Sequence, residues 1–137
     1  MATDVTISLQ SLHCNSTSDG ASQSPYIWPI LLCVDDTTLA KPDLLVDVIP
    51  TRLADARVVI KSDMSAGQTA DIPLPLGTLG VRFEDNLSIR WLILAVALWE
   101  ENETPEAAVW AGFQAFSNEL RAAVASSLPS LAVATSP

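Results

Sequence analysis

The sequence predicts a mainly β domain, an antiparallel β-sandwich of about six strands carrying one long amphipathic helix at its C-terminal end. Three observations carry that expectation. The first apolar run alternates with polar residues at period two. Further short apolar runs recur between turn signals about every eight to twelve residues. After Thr104 the spacing of apolar residues becomes helical. The alternative is an α+β layer, which differs in whether the apolar stripe of the helix stays against its own sheet.

Val5, Ile7 and Leu9 alternate with Thr6, Ser8 and Gln10, the pattern of a half-buried strand. Leu12 and Cys14 resume it one residue out of phase, which predicts a β-bulge near Ser11. A polar loop, NSTSDGASQS, leads into YIWPILLCV, apolar on both faces as a central strand should be. Pro29 lacks the N–H for one ladder bond, so one side of that strand should be open or bulged there. LLVDVIP and ARVVIK read as two further strands around TRLAD. In DIPLPLGTLG, Pro73 and Pro75 alternate with Ile72, Leu74 and Leu76, which predicts an extended edge segment and no helix. RWLILAVALW follows as the most apolar strand, expected to be buried; its Leu and Ala would also suit a short helix, but its length and neighbours favour a strand.

The helix is announced by Thr104 as N-cap, Pro105 in the first turn and Glu106 at the positive end of the dipole. Val109, Phe113, Phe116, Leu120, Ala123 and Val124 then recur on one stripe. The helix is expected over 105–128, stopping before Pro129, with 129–137 as a tail; residues 1–128 form one domain. Gln114 and Arg121 lie off the stripe and Trp110 beside it, so these three are the candidate partner-binding residues.

Sixteen acids against seven bases leave a net charge of -9. The bases are scattered singly, which argues against nucleic acid as a partner, and the acidity repels anionic membrane surfaces. The longest apolar run, Trp91 to Trp99, is about half of what a transmembrane helix needs. MATDVTISLQ lacks the basic and apolar regions of a secretory signal, which points to the cytoplasm. Pairing the first segment with YIWPILLCV as a hairpin puts Cys14 opposite Pro25 and Cys33 opposite Thr6. That is too far for a disulfide, so two buried thiols are expected.

His13 is the only histidine, and in a strand it points away from Cys14, so histidine-dependent nucleophilic catalysis and a zinc site are disfavoured. GTLG at 77–80 matches no phosphate-binding turn. Acids gather at strand ends: Asp35 and Asp36 after the second strand, Glu100 and Glu101 after the most apolar one. Converging strand-end carboxylates can hold calcium, so these four are the candidate metal ligands; solvated turn acids are the plainer explanation.

Two segments, SPYIWPILLCVDD and LWEENETPEAAVWAGFQAF, resemble a loosely defined group of bacterial β-sandwich domains. In that group an aromatic-Pro strand near the start pairs with an acidic turn and a terminal helix. The resemblance implies a C2-like or immunoglobulin-like sandwich and no agreed activity. Where such domains carry acids before the Pro-Tyr pair, this chain has Ser22, Gln23 and Ser24. The leading functional expectation is a non-catalytic protein-binding or self-assembly module, with a protein partner or a homo-oligomer, working through the C-terminal helix and tail. A calcium-dependent ligand- or membrane-binding domain comes second. A small enzyme using acidic residues, or a lectin-like site on tryptophans, comes after that.

Overall fold

The computed structural model describes residues 2–17, 20, 22–50 and 56–135, with 130–135 described as helix backbone. In chain order the elements are β1 (Thr3–Ser8), β2 (Ser11–His13), β3 (Pro25–Asp35), α1 (Asp36–Ala40), β4 (Asp47–Val48), β5 (Thr69–Asp71), α2 (Leu74–Gly77), β6 (Thr78–Phe83), β7 (Arg90–Glu100) and α3 (Glu106–Thr135). The fold is rich in strands, all paired antiparallel, and carries one long C-terminal helix.

β3 and β7 pair along their full length, from Pro25 opposite Glu100 to Asp35 opposite Arg90. The other edge of β3 is shared: β4 meets Leu31 and Leu32, and Val59 bridges Tyr26. Pro29 falls between those two contacts. The Pro25 carbonyl accepts from the Ile60 N–H, so odd-numbered residues of β3 turn their backbone groups to this shared edge. The N–H that Pro29 lacks would have pointed into the gap, so the proline leaves the long ladder to β7 intact. Of the two strands expected in LLVDVIP and ARVVIK, only Asp47–Val48 and the single bridge at Val59 form. TRLAD lies outside the described residues.

β1 and β2 do not form a hairpin with β3, because β7 on one side and β4 with Val59 on the other occupy its edges. They pair instead with β6 and β5. Cys14 therefore exchanges backbone hydrogen bonds with Gln68 and Gly67, and both cysteines are free and half-buried rather than buried. The irregularity expected near Ser11 sits on the opposite strand: Leu9 and Gln10 face the whole stretch from Ile72 to Gly77. The Leu9 N–H donates to the Gly77 carbonyl and the Ile72 N–H to the Gln10 carbonyl, closing the mouth of that insertion. Within it the expected extended segment is one turn of helix, α2. Pro73 caps it and Pro75 sits in its first turn, where a missing N–H costs nothing.

Side chains of β3 divide by parity. Tyr26, Trp28, Ile30, Leu32 and Val34 are buried on the face covered by α3. Val109, Phe113 and Leu128 of the helix are buried there, with Phe116, Leu120 and Val124 packed beside them. The apolar stripe of α3 thus stays at home. On the opposite face Ile27 and Leu31 are also buried, and Leu9, Ile72 and Leu76, from the ribbon formed by β1 with β6 and β2 with β5, share a cluster with Ile27. The helix does not stop before Pro129 but continues to Thr135. Pro129 forfeits one hydrogen bond, while Leu128, packed with Leu32, Val34 and Leu45, anchors the turn that contains it.

A Cβ on Gly77 would stand 2.5 Å from the Leu9 carbonyl oxygen and 2.9 Å from Ile72. The first is backbone and cannot rotate away. Gly77→Ala is expected to lower stability by about 1–3 kcal/mol, read as a drop in the urea midpoint with the slope unchanged.

Candidate functional site

The strand-end acids are engaged in local structure. Asp35 caps α1, accepting from the N–H groups of Thr37 and Thr38 at 2.8 and 3.2 Å, while the Thr38 hydroxyl accepts from the Asp35 N–H. Asp36 accepts from the N–H groups of Ile89 at 2.7 Å and Ser88 at 3.1 Å, tethering the loop before β7. Those two bonds, Ile89 first, hold its carboxyl below the usual carboxylate range. At the other end of the ladder, Arg57 pairs with Glu101 and with Glu106 at 3.2 Å each and donates to the Thr104 carbonyl. Arg57 thereby clamps the connection between β7 and α3. Thr104 does not act as the side-chain cap expected of it: its hydroxyl donates to Asn102, and the Pro105 carbonyl receives the Ala108 and Val109 N–H groups.

Asp35 sits opposite Arg90 and Glu100 opposite Pro25, so the two acid pairs stand at opposite ends of an eleven-residue ladder, about 33 Å apart. Asp35, Asp36, Glu100 and Glu101 therefore do not form the calcium site expected of them. Among the described residues, no group of three or more His, Cys, Asp or Glu side chains is placed to hold a metal ion.

Trp110, Gln114 and Arg121 do share one flank of α3, the side nearest β4. Trp110 is 37% exposed and stacks on Phe113 with ring centroids 5.4 Å apart. With Gln114, Ser117 and Asn118 it lines a shallow cleft closed by Asp47 and Ile49. Arg121 is committed within the fold, donating to the Leu45 carbonyl at 2.9 Å and lying 3.8 Å from Asp47, which also accepts from Ser117 at 2.6 Å.

His13 shares a 2.6 Å hydrogen bond with Thr69 beside an open hollow lined by Cys14, Met64 and Leu98. Burial, with Asp35 adding to it, pushes the Cys33 thiol up, which leaves little thiolate at neutral pH. Burial also raises the Tyr26 phenol despite the opposing charge of Arg57.

The surface that sequence reasoning missed is β7. Its apolar run was expected to be buried, yet Leu94, Val96 and Leu98 are 38%, 45% and 59% exposed, and Trp99 is 45% exposed. β7 is an edge strand in the order β4-β3-β7, and among the described residues no strand pairs with its free edge. Hydropathy records how apolar a strand is, not which strand ends up outermost. A signal was available: RWLILAVALWE is nearly symmetric about Ala95, with opposite charges at its two ends.

Compared with known proteins, the chain matches no family model, no curated protein and no solved structure. No helix among the described residues is long and apolar enough to cross a membrane.

The depressed Asp36 carboxyl sets a pH dependence. Its contribution to stability is fully present above the ordinary carboxylate range and is lost as pH falls through its lowered folded-state value. The stability difference between wild type and Asp36→Ala should accordingly be widest near neutrality and vanish in strong acid, as measured by denaturant titration across that range. A difference independent of pH would mean that the carboxylate is not the group holding the loop.

Proposed function

We propose that the chain is a non-catalytic protein-binding or self-assembly module. The observation that supports this is the exposed apolar row Leu94, Val96, Leu98 with Trp99 on a free strand edge. Soluble proteins blunt their edge strands with charge, proline or cover. β7 carries no charge from Trp91 to Trp99 and no proline. We read the sheets behind it as two leaves of a sandwich, β4-β3-β7 against the ribbon of β1 with β6 and β2 with β5, with Ile27, Ile72 and Leu76 between them. The C-terminal helix contributes Trp110 and Gln114 at its outer flank, while its apolar stripe serves the core.

Light scattering over a concentration series tests the reading. The expected result is a mass above that of the monomer at micromolar concentrations, reduced to the monomer by Val96→Lys, with far-UV circular dichroism unchanged. A strict monomer up to the hundred-micromolar range overturns self-assembly.

A further inference from the structure

We propose that β7 pairs antiparallel with β7 of a second copy about a two-fold axis through Ala95, joining two three-stranded sheets into one. This rests on the assembly reading and names its partner and register.

Backbone parity is the first support. The Glu101 N–H donates to the Ser24 carbonyl, so odd-numbered residues of the β7 segment face β3 and even-numbered ones turn their N–H and C=O groups to the free edge. An axis through Ala95 sets Arg90 opposite Glu100 of the second copy, Leu92 opposite Leu98 and Leu94 opposite Val96. These are all even-numbered pairs, whose backbone groups point at one another and meet no other strand among the described residues.

Side-chain complementarity is the second support, and it selects the register. Directly opposed residues lie on the same face of a sheet. Each Arg90 meets a Glu100 at both ends of the seam, and each Trp91 meets a Trp99. Ile93 meets Ala97, large against small, and Ala95 meets itself on the axis. Sliding the second strand by two residues either way places Arg90 opposite Leu98 or opposite Asn102, and the charge and tryptophan pairs are lost together. Glu100 makes no ion pair among the described residues and is exposed, while Arg90 uses one guanidinium nitrogen on the Glu84 and Asp85 carbonyls.

The helix layer allows the approach. Trp110, Gln114 and Arg121 occupy the β4 flank of α3, so at 100° per residue the opposite flank, over β7, carries Ala108, Gly112, Ala115 and Ala123, with Glu119 as its one charge. Small side chains let two such helices lie side by side at about 8–10 Å.

A cysteine at the axis provides the test. In the opposed Ala95 pair the backbones do not hydrogen-bond, so the Cα atoms lie about 4.5 Å apart, within reach of a disulfide. Ala95→Cys should give a covalent dimer under mild oxidation that reverts with reductant. Ala97→Cys, set opposite Ile93, and the wild-type chain with its own two cysteines should not. Arg90→Glu or Glu100→Arg alone should weaken the dimer about tenfold, and the two together should restore it. A dimer mass without cross-linking at position 95, equal cross-linking at 97, or no restoration in the double variant overturns this seam and leaves the assembly reading standing. A strict monomer overturns both.

Discussion

The indole of Trp28 is the constraint on which the rest of the fold depends. It projects from the central strand to the helix-covered face and packs against Trp99, Phe113 and Phe116 with centroids 5.0, 5.6 and 5.9 Å away. Its N–H donates to the Ala56 carbonyl at 2.7 Å. Ala56 is fully buried with φ of +49°, a conformation that costs a non-glycine residue energy and persists because both the indole and the core hold it. The next residue is Arg57, which clamps the turn into α3 through Glu101, Thr104 and Glu106. One ring therefore fixes the strand, the segment after residue 55 and the start of the helix relative to one another. Gly112 lets the helix come this near, since a Cβ there would stand 3.3 Å from the ring.

The two sides of β7 are treated unequally. Trp91, Ile93 and Ala97 contact the core beneath α3, whereas the row from Leu94 to Leu98 faces outward. The ribbon on that side packs against Ile27 of β3 and leaves the last strand open to water. Ordinary burial thus accounts for one face of the most apolar strand and leaves the other exposed.

Much of this was readable where the physics is local. The period-two pattern of Val5, Ile7 and Leu9, the doubly apolar YIWPILLCV and the stripe from Val109 to Val124 each depend on near neighbours and each formed the expected kind of element. Where tertiary context decides, local reading failed. Pro73 and Pro75 suggest extension, but a proline in the first turn of a helix is equally at ease, and the mismatch between β1 with β2 and their partners supplied room for that turn. Pro129 suggests a stop, but burial of Leu128 carries the helix past it. The acids were legible as strand-end groups, and Trp110 with Gln114 as one flank of α3. That Asp35 and Glu100 lie at opposite ends of a ladder depends on pairing, which no composition reveals.

Because α3 follows every strand in the chain, translation delivers the sheet before its cover. Until α3 docks, Trp28, Leu32 and Trp91 lack their lid on one side of the sheet. Docking of the helix is therefore the last step that the core awaits, closing one face of a sheet already laid down.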